Sequence, residues 1–238
     1  MKGIVYGIYL QWKLDLRNKS RLVSVYLIPL LFFALMGGLF TSLMPEMKQT
    51  LIGSMIVFGV SLAALNGLPP SLAEIYHTDI RKMYLANGVP LRYGLIVTNV
   101  SAFIHLFIVS MIIYGLAPIM FDARLPEDKP LFFGALALFI IVSLQLANVI
   151  GLLVKDQGKV PLVSSLFFLP SIMLSGIMFD AELLPKALLL IGKFFPAFWG
   201  FRMMTRPDFC LCNLQPQLIL LALTILLTEI LLDRLKKE

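Results

Sequence analysis

The stretch that decides the fold is residues 22–45, LVSVYLIPLLFFALMGGLFTSLMP, which contains no charged side chain. About 20 apolar residues wound as an α-helix cross the ~30 Å hydrocarbon layer of a bilayer. The rest of the chain is similar, because 59% of its 238 residues are hydrophobic, 14% are charged and the mean hydropathy is +0.88. A soluble domain carries roughly 25% charged residues. These values indicate an integral membrane protein.

Further apolar runs lie between clusters of charge, and each is long enough to cross the membrane as a helix. The short alternating strands of a membrane barrel are absent from the sequence. We therefore predict an all-α membrane protein with six transmembrane helices in a single domain, residues 1–238. The predicted spans are about 22–44, 50–73, 94–117, 131–154, 160–179 and 214–232.

Two segments outside these spans are apolar but too often interrupted by charge to cross. Residues 1–20 mix aromatic and basic side chains, which favours an interfacial amphipathic helix in the cytoplasmic headgroup layer; a soluble tail is the alternative. Residues 180–208 combine Leu, Phe and Trp with Lys, Arg and Pro. This mixture predicts a re-entrant helical hairpin at the outer face, between spans five and six.

The placement of Lys and Arg indicates the orientation of a membrane protein. With the N-terminus inside, the cytoplasmic segments hold more of these residues than the outer segments, most clearly in the short loops. We predict a multi-pass protein of the cell membrane with both termini in the cytoplasm. The excess of basic residues behind the net charge of +6 is thus accounted for by their role in setting the membrane orientation, and we predict no binding of nucleic acid.

The sequence lacks the motifs of several catalytic sites, including the phosphate-binding G-x-x-x-x-G-K-[ST] loop, H-E-x-x-H and G-x-S-x-G. Cys210 and Cys212 are too few for a metal site. Carboxylates near the membrane midplane, which a proton-driven carrier needs, are also missing from the predicted spans. We therefore predict no enzyme and no bound metal, and any transport would draw its energy from a partner.

Four polar residues inside the spans are candidates for interhelical hydrogen bonds or for a substrate path. His105 is ionisable, but a neutral imidazole bonded to a neighbouring helix is the commoner arrangement. Asn66 and Asn148 favour bonds between helices, and Gln145 suits either role. Of these, His105, Asn66 and Gln145 are the candidates for a substrate path. Glu229, near the end of the sixth span, is predicted to pair with the basic residues that follow it, Arg234, Lys236 and Lys237.

The predicted inner loop, residues 74–92, has the pattern of a short capped helix. Thr78 or Asp79 suits the N-cap, and the sequence Asn87-Gly88-Val89-Pro90 ends the helix. Its apolar side chains recur at helical spacing. Such a helix suits a groove in a partner protein, and packing on the headgroups is the alternative.

The outer segment contains three steps in a fixed order: Ser175-Gly176 with Phe179, then Leu184-Pro185, then Phe195-Pro196. This order resembles the signature region of type-two ABC exporter permeases, the membrane subunits whose ATPase is usually a separate chain. The inner loop also resembles the coupling segment of that family, which starts with an acidic residue, here Glu74. It departs from the family pattern at Ile75-Tyr76-His77, because the family often has a charged stretch that contains Gly at these positions.

The resemblance implies a permease that exports a hydrophobic or amphipathic substrate, such as a drug, an antimicrobial peptide or a lipid-like molecule. It implies two copies of an ABC ATPase, which hold ATP and Mg, and a second permease subunit, identical or different. The implied coupling residues are Glu74, Asp79, Arg81, Lys82, Met83 and Leu85. The implied outer gate consists of Gly176, Phe179, Pro185, Phe195 and Pro196. A membrane scaffold and a membrane-embedded lipid-modifying enzyme are the alternatives.

Overall fold

The computed structural model describes residues 2–178, 184–205 and 211–237, and no strand occurs among them. This confirms the all-α class. A π-helical turn, Val23–Leu27, joins α2 to α3, and a 3-10 turn, Pro45–Gln49, precedes α4. The helices are α1 (Lys2–Arg17), α2 (Lys19–Leu22), α3 (Ile28–Leu43), α4 (Leu51–Tyr76), α5 (Asp79–Ala86), α6 (Leu91–Phe121), α7 (Lys129–Leu153), α8 (Val160–Met173), α9 (Lys186–Gly192), α10 (Pro196–Thr205) and α11 (Leu211–Lys237).

Four helical stretches of the described residues are long and apolar enough to cross a membrane: Lys19–Leu43, Leu51–Tyr76, Leu91–Phe121 and Lys129–Leu153. α9 and α10 meet at a bend of 90°, and counting this pair as one broken span raises the number to five. The chain is therefore a multi-pass membrane protein. The four stretches coincide with the first four predicted spans.

The fifth predicted span, residues 160–179, holds a shorter helix than expected. α8 has 14 residues and ends at Met173, which gives a length of about 21 Å at ~1.5 Å per residue. Leu174 is the C-cap of the helix, and the chain then turns at Gly176, whose φ of 94° is a left-handed conformation that side chains with a Cβ rarely take. The Ser175 hydroxyl accepts a hydrogen bond from the backbone N–H of Ile177 and stabilises this turn.

α4 forms the centre of the bundle and packs against α3, α6, α7, α8 and α10. Its sequence is apolar on all sides, which is typical of a helix surrounded by other helices. Gly151 of α7 permits a close approach to α4, because a Cβ there would lie 2.8 Å from the Cβ of Leu72 and 3.0 Å from the carbonyl oxygen of Pro69. Small residues allow helix backbones to approach in this way within membranes.

α10 lies inside the bundle, whereas its neighbour α9 is largely exposed. Phe198 is fully buried, and Gly200 presses on the ring of Phe139 in α7 so closely that a Cβ would overlap it. Gln217 of α11 donates a buried hydrogen bond of 2.9 Å to the carbonyl oxygen of Pro196. These contacts fix the second arm of the bent pair among α4, α7 and α11.

Candidate coupling site

α5 is a short helix whose two ends are closed by local hydrogen bonds. The Thr78 hydroxyl accepts from the backbone N–H of Ile80 at 3.3 Å and donates to the carbonyl oxygen of Glu74 at 2.6 Å. At the other end Gly88 has a φ of 65°, and the N–H of Val89 donates to the carbonyl of Tyr84 at 2.8 Å. The sequence of the inner loop predicted this helix, and the structure has Thr78 as its N-cap.

The two faces of α5 differ in their surroundings. Ile80 and Tyr84 are half-buried, and the Tyr84 ring packs against Gly94 near the start of α6. Met83 is 62% exposed and Leu85 is 42% exposed. These two residues lie two positions apart, so they project on either flank of Tyr84 and not from one common face. α5 is therefore held through Tyr84 and exposes one apolar side chain on each flank.

The charged residues of the coupling loop also divide between the two sides. Glu74 is exposed, and Asp79 pairs with Lys82 at 2.8 Å in an exposed salt bridge. The hydrogen bond from Lys82 lowers the pKa of the Asp79 carboxyl. Arg81 points inward, where its guanidinium donates to the carbonyl oxygen of Leu235 near the end of α11 at 3.3 Å.

His77 connects the end of α4 to the end of α7. Its Nε2 lies 3.1 Å from the carbonyl oxygen of Leu152. Burial lowers the pKa of the His77 imidazole, and the positive charges of Arg81 and Lys155 add to this effect, although the contact with Leu152 opposes it. The sequence marked His77 only as a departure from a family pattern.

A second polar cluster, which sequence reasoning missed, joins α1 to the membrane helices. We call it the Asp15 cluster; it comprises Gln11, Asp15, Arg21, Ser101 and His105. Asp15 accepts hydrogen bonds from Gln11 at 2.8 Å, from Arg21 at 2.6 Å and from the Ser101 hydroxyl at 2.6 Å. The side chains of Asp15 and Arg21 are only 3% and 11% exposed. A buried carboxylate with this many donors anchors α1 on α6.

His105 occupies the inner side of the Asp15 cluster. Its Nδ1 shares a hydrogen bond of 2.7 Å with the Tyr26 hydroxyl, so the expected bond to a neighbouring helical element is present. Its Nε2 lies 3.8 Å from Asp15 Oδ2 and has no hydrogen-bond partner among the described residues; the same is true of the buried Trp12 Nε1. His105 thus belongs to the attachment of α1.

The other two candidates for a substrate path have separate surroundings. Asn66 is half-buried and donates to the carbonyl of Leu62 in its own helix. Gln145 belongs to an amide trio with Asn99 and Asn148, in which Asn148 donates to Gln145 Oε1 at 3.1 Å and exchanges hydrogen bonds with Asn99 at 3.0 and 3.1 Å. No hydrogen bond between described residues joins His105, Asn66 and Gln145 to one another.

A comparison with known families identifies the class of this chain. The family profile described as ABC-2 type transporter matches residues 4–207. The chain belongs to this family. No curated protein matches the chain at a significant level. As an ABC-2 membrane domain, the chain is a permease of an ABC transporter, a class of membrane subunit that works with an ATPase partner.

In this ABC-2 permease the residues of the predicted outer gate occupy the ends of helices. Gly176 forms the turn after α8, Pro185 is the N-cap of α9 and Pro196 begins α10. Phe195 is half-buried at the 90° bend between α9 and α10. Phe179 lies outside the described residues, as does Cys210.

One ion pair of the permease differs from the sequence-based expectation. Glu229 pairs with Arg92 at the start of α6, not with the bases that follow it on α11. Arg234, Lys236 and Lys237 do not lie three or four positions after Glu229, the spacings that bring side chains of one helix together, whereas Arg92 reaches Glu229 from α6. The described residues contain no group of three or more His, Cys, Asp or Glu side chains that could hold a metal ion.

Proposed function

We propose that this chain is the permease subunit of an ATP-driven exporter that moves a hydrophobic or amphipathic substrate outward. The observation that carries the proposal is α5, a capped helix that exposes Met83 and Leu85 on the loop between α4 and α6. A protein surface that presents apolar side chains on a short rigid helix is suited to a groove in a partner. In an ABC transporter that partner is the ATPase.

The proposed assembly contains two permease subunits, identical or different, and two copies of the ATPase. ATP and Mg bind to the ATPase copies, since the chain itself has no phosphate-binding loop. The proposed topology keeps six spans with both termini in the cytoplasm, an interfacial helix at α1 and a re-entrant outer hairpin at α9 and α10. The bend of 90° between these two short helices supports the hairpin.

The contacts of α5 suggest how movement of the ATPase reaches the spans. Tyr84 packs on α6, and Arg81 holds the carbonyl of Leu235 in α11, so a displacement of α5 pulls on both helices. Glu74, Asp79 and Lys82 are exposed beside them and are proposed to contact the ATPase. A switch of this kind works when the ATPase binds two arrangements of the same helices with different affinities.

The cargo leaves past the proposed outer gate at Gly176, Phe179, Pro185, Phe195 and Pro196. Gly and Pro at helix ends permit changes of backbone direction that other residues resist. We propose a drug, an antimicrobial peptide or a lipid-like molecule as the cargo, because the packed core of the bundle consists mainly of Leu, Ile, Phe, Val and Met, among which a polar cargo would find few partners.

The proposal is tested by charging the exposed face of α5. We expect Met83→Glu to abolish copurification of the ATPase and ATP-dependent export, while insertion and unfolding of the permease stay unchanged, because Met83 touches no core. Leu125→Glu is the matched control, since Leu125 is 45% exposed in the loop between α6 and α7, on the outer face in the proposed topology. Full ATPase binding by Met83→Glu and by Leu85→Glu would exclude α5 as the docking helix.

A second test concerns transmission after docking. Reversing the charge at Arg81 by Arg81→Glu removes the bond to Leu235 and is expected to reduce export while the ATPase still binds. Hydrolysis of ATP would then continue without transport. Unchanged export would contradict the role of Arg81 in coupling.

A further inference from the structure

Asn99 and Gln145, two members of the amide trio with Asn148, line a groove between α6 and α7. The groove measures about 310 Å³ and is otherwise lined by Val100, Phe103, Ile141 and Leu144. Val100 is 36% exposed and Ile141 40% exposed, so the groove opens on the outer surface of the bundle. Its volume is at the lower end of the ~300–1,000 Å³ typical of sites for drug-sized ligands.

One member of the trio keeps unused hydrogen-bonding capacity at the groove. Asn99 and Asn148 satisfy each other, and Asn148 also donates to Gln145 Oε1. Gln145 is half-buried, and its Nε2 donates no hydrogen bond to any described residue. An amide N–H facing hydrocarbon without an acceptor is costly. The groove therefore favours a ligand that brings an oxygen acceptor to Gln145.

The depth of Gln145 restricts what that ligand can be. Gln145 lies about 12 Å from the last residue of α7, Leu153, and Asn99 about 12 Å from the first residue of α6, Leu91, at ~1.5 Å per residue. α7 has 25 residues and is only several ångströms longer than the ~30 Å hydrocarbon layer. Gln145 is thus roughly 8 Å below the headgroups of the nearer leaflet, beyond the ester groups of a bilayer phospholipid.

We infer that the groove between α6 and α7 binds an amphiphile that carries an uncharged oxygen acceptor within its apolar body. The acceptor bonds to Gln145 Nε2, and the apolar parts lie along Phe103 and Ile141. With the proposed topology this groove opens to the cytoplasmic leaflet. If the chain is the proposed exporter, this amphiphile is a cargo; that identification rests on the proposed function, but binding of the amphiphile to the groove does not.

The test uses the full-length chain in phosphatidylcholine nanodiscs without ATP or ATPase. The probe is a long-chain alcohol with a ketone in mid-chain and a photoreactive diazirine near the end of the chain. We expect saturable labelling of α6 and α7, competed by the same ketone without the diazirine. A matched probe with a methylene in place of the ketone is expected to bind about fivefold more weakly, the value of one hydrogen bond.

Two variants separate the polar and apolar parts of the groove. Gln145→Leu should weaken the ketone probe about fivefold and leave the methylene probe unchanged. Ile141→Trp, at an exposed position, should block both probes by filling the groove. Gln215→Leu removes an exposed amide of α11 and serves as the control with unchanged labelling.

Three results would overturn the inference: labelling that does not saturate, equal binding of the two probes, or an unchanged affinity in Gln145→Leu. Efficient cross-linking between two copies through cysteine at position 141 would also overturn it, since a second permease would then cover the groove. Because no ATP or ATPase is present, failure here leaves the docking of α5 untouched. Conversely, failure of the Met83→Glu test leaves the labelling result intact.

Discussion

Two ion pairs of this permease, Asp15–Arg21 and Asp79–Lys82, have the same chemistry in opposite surroundings. The first is buried, with side chains 3% and 11% exposed, and the carboxylate accepts further bonds from Gln11 and Ser101. The second lies on the surface of α5, with side chains 86% and 73% exposed. Removing one partner of a buried pair leaves a charge without compensation, whereas water replaces the lost partner of an exposed pair.

The difference separates attachment from docking. The Asp15 cluster fixes α1 to α6 through buried hydrogen bonds. α5 keeps Asp79, Lys82 and Met83 accessible, as the proposed contact with an ATPase requires. We therefore expect substitutions in the buried Asp15–Arg21 pair to lower the stability of the protein. Substitutions in the exposed Asp79–Lys82 pair should instead affect its function.

The largest effect is expected for Asp15→Ala. The substitution strands the Arg21 guanidinium in a buried site, and we expect the free energy of unfolding to fall by about 3–5 kcal/mol. Unfolding by SDS in mixed micelles measures this change. The double variant Asp15→Ala with Arg21→Met should recover much of the loss, because no charge is then left unpaired.

Asp79→Ala is the matched control for this comparison. It removes the carboxylate of the exposed pair, and we expect the same SDS titration to show no change. A loss of stability equal to that of Asp15→Ala would mean that exposure does not separate the two pairs.

A smaller loss of stability is expected at the uncharged contact between α1 and α6, where Gly7 packs against Tyr93. A Cβ at Gly7 would overlap the Tyr93 hydroxyl, which donates to the carbonyl of Gly3 at 3.1 Å. Gly7→Ala must displace the Tyr93 ring and break this bond, at a cost of about 1–2 kcal/mol. The measurement is again the free energy of unfolding.

Gly3→Ala provides the control on the same helix, because a Cβ at Gly3 meets no atom within 4 Å. Its stability should equal or slightly exceed that of the original chain, since Ala favours helix. Equal losses from both substitutions would show that α1 does not pack on α6 at Gly7.

The smallest effect is expected from the pH dependence at His77. Burial lowers the pKa of the folded imidazole below its ordinary value of 6.5. As the pH falls through 6.5, the unfolded chain therefore binds a proton before the folded chain does, and stability decreases. Above that pH both states are neutral at His77, and this contribution stays constant. The pKa of Asp79 is also lowered from its ordinary value of 3.8. Its effect on stability therefore appears only as the pH falls below about 3.8, outside the range considered for His77.

The measurement is the difference in unfolding free energy between pH 7 and pH 5.5, roughly one unit on either side of the ordinary His value. His77→Gln does not titrate and should show a smaller decrease over the same interval. An identical decrease in both proteins would exclude His77 as its source.

The family could be recognised from the sequence because its characteristic motifs each consist of a few neighbouring residues. Thr78 and Gly88 define the ends of α5 through contacts within a few residues, and the apolar runs define the first four spans. The Asp15 cluster lacks such a marker, since Asp15 and Ser101 are separated by 86 positions. The one available signal was an acidic residue among the bases of an otherwise apolar and aromatic N-terminal segment.

The sequence by itself determined the membrane class, the first four spans, the capped helix α5 and the resemblance to ABC permeases. Hydrophobic length and helix caps depend on neighbouring residues, so they can be deduced before folding. Only the tertiary structure decided that Asp15 is buried, that Glu229 pairs with Arg92 and that Gln145 borders a groove. Each of these depends on which helices become neighbours, because burial and hydrogen-bond partners are set by side chains distant in sequence.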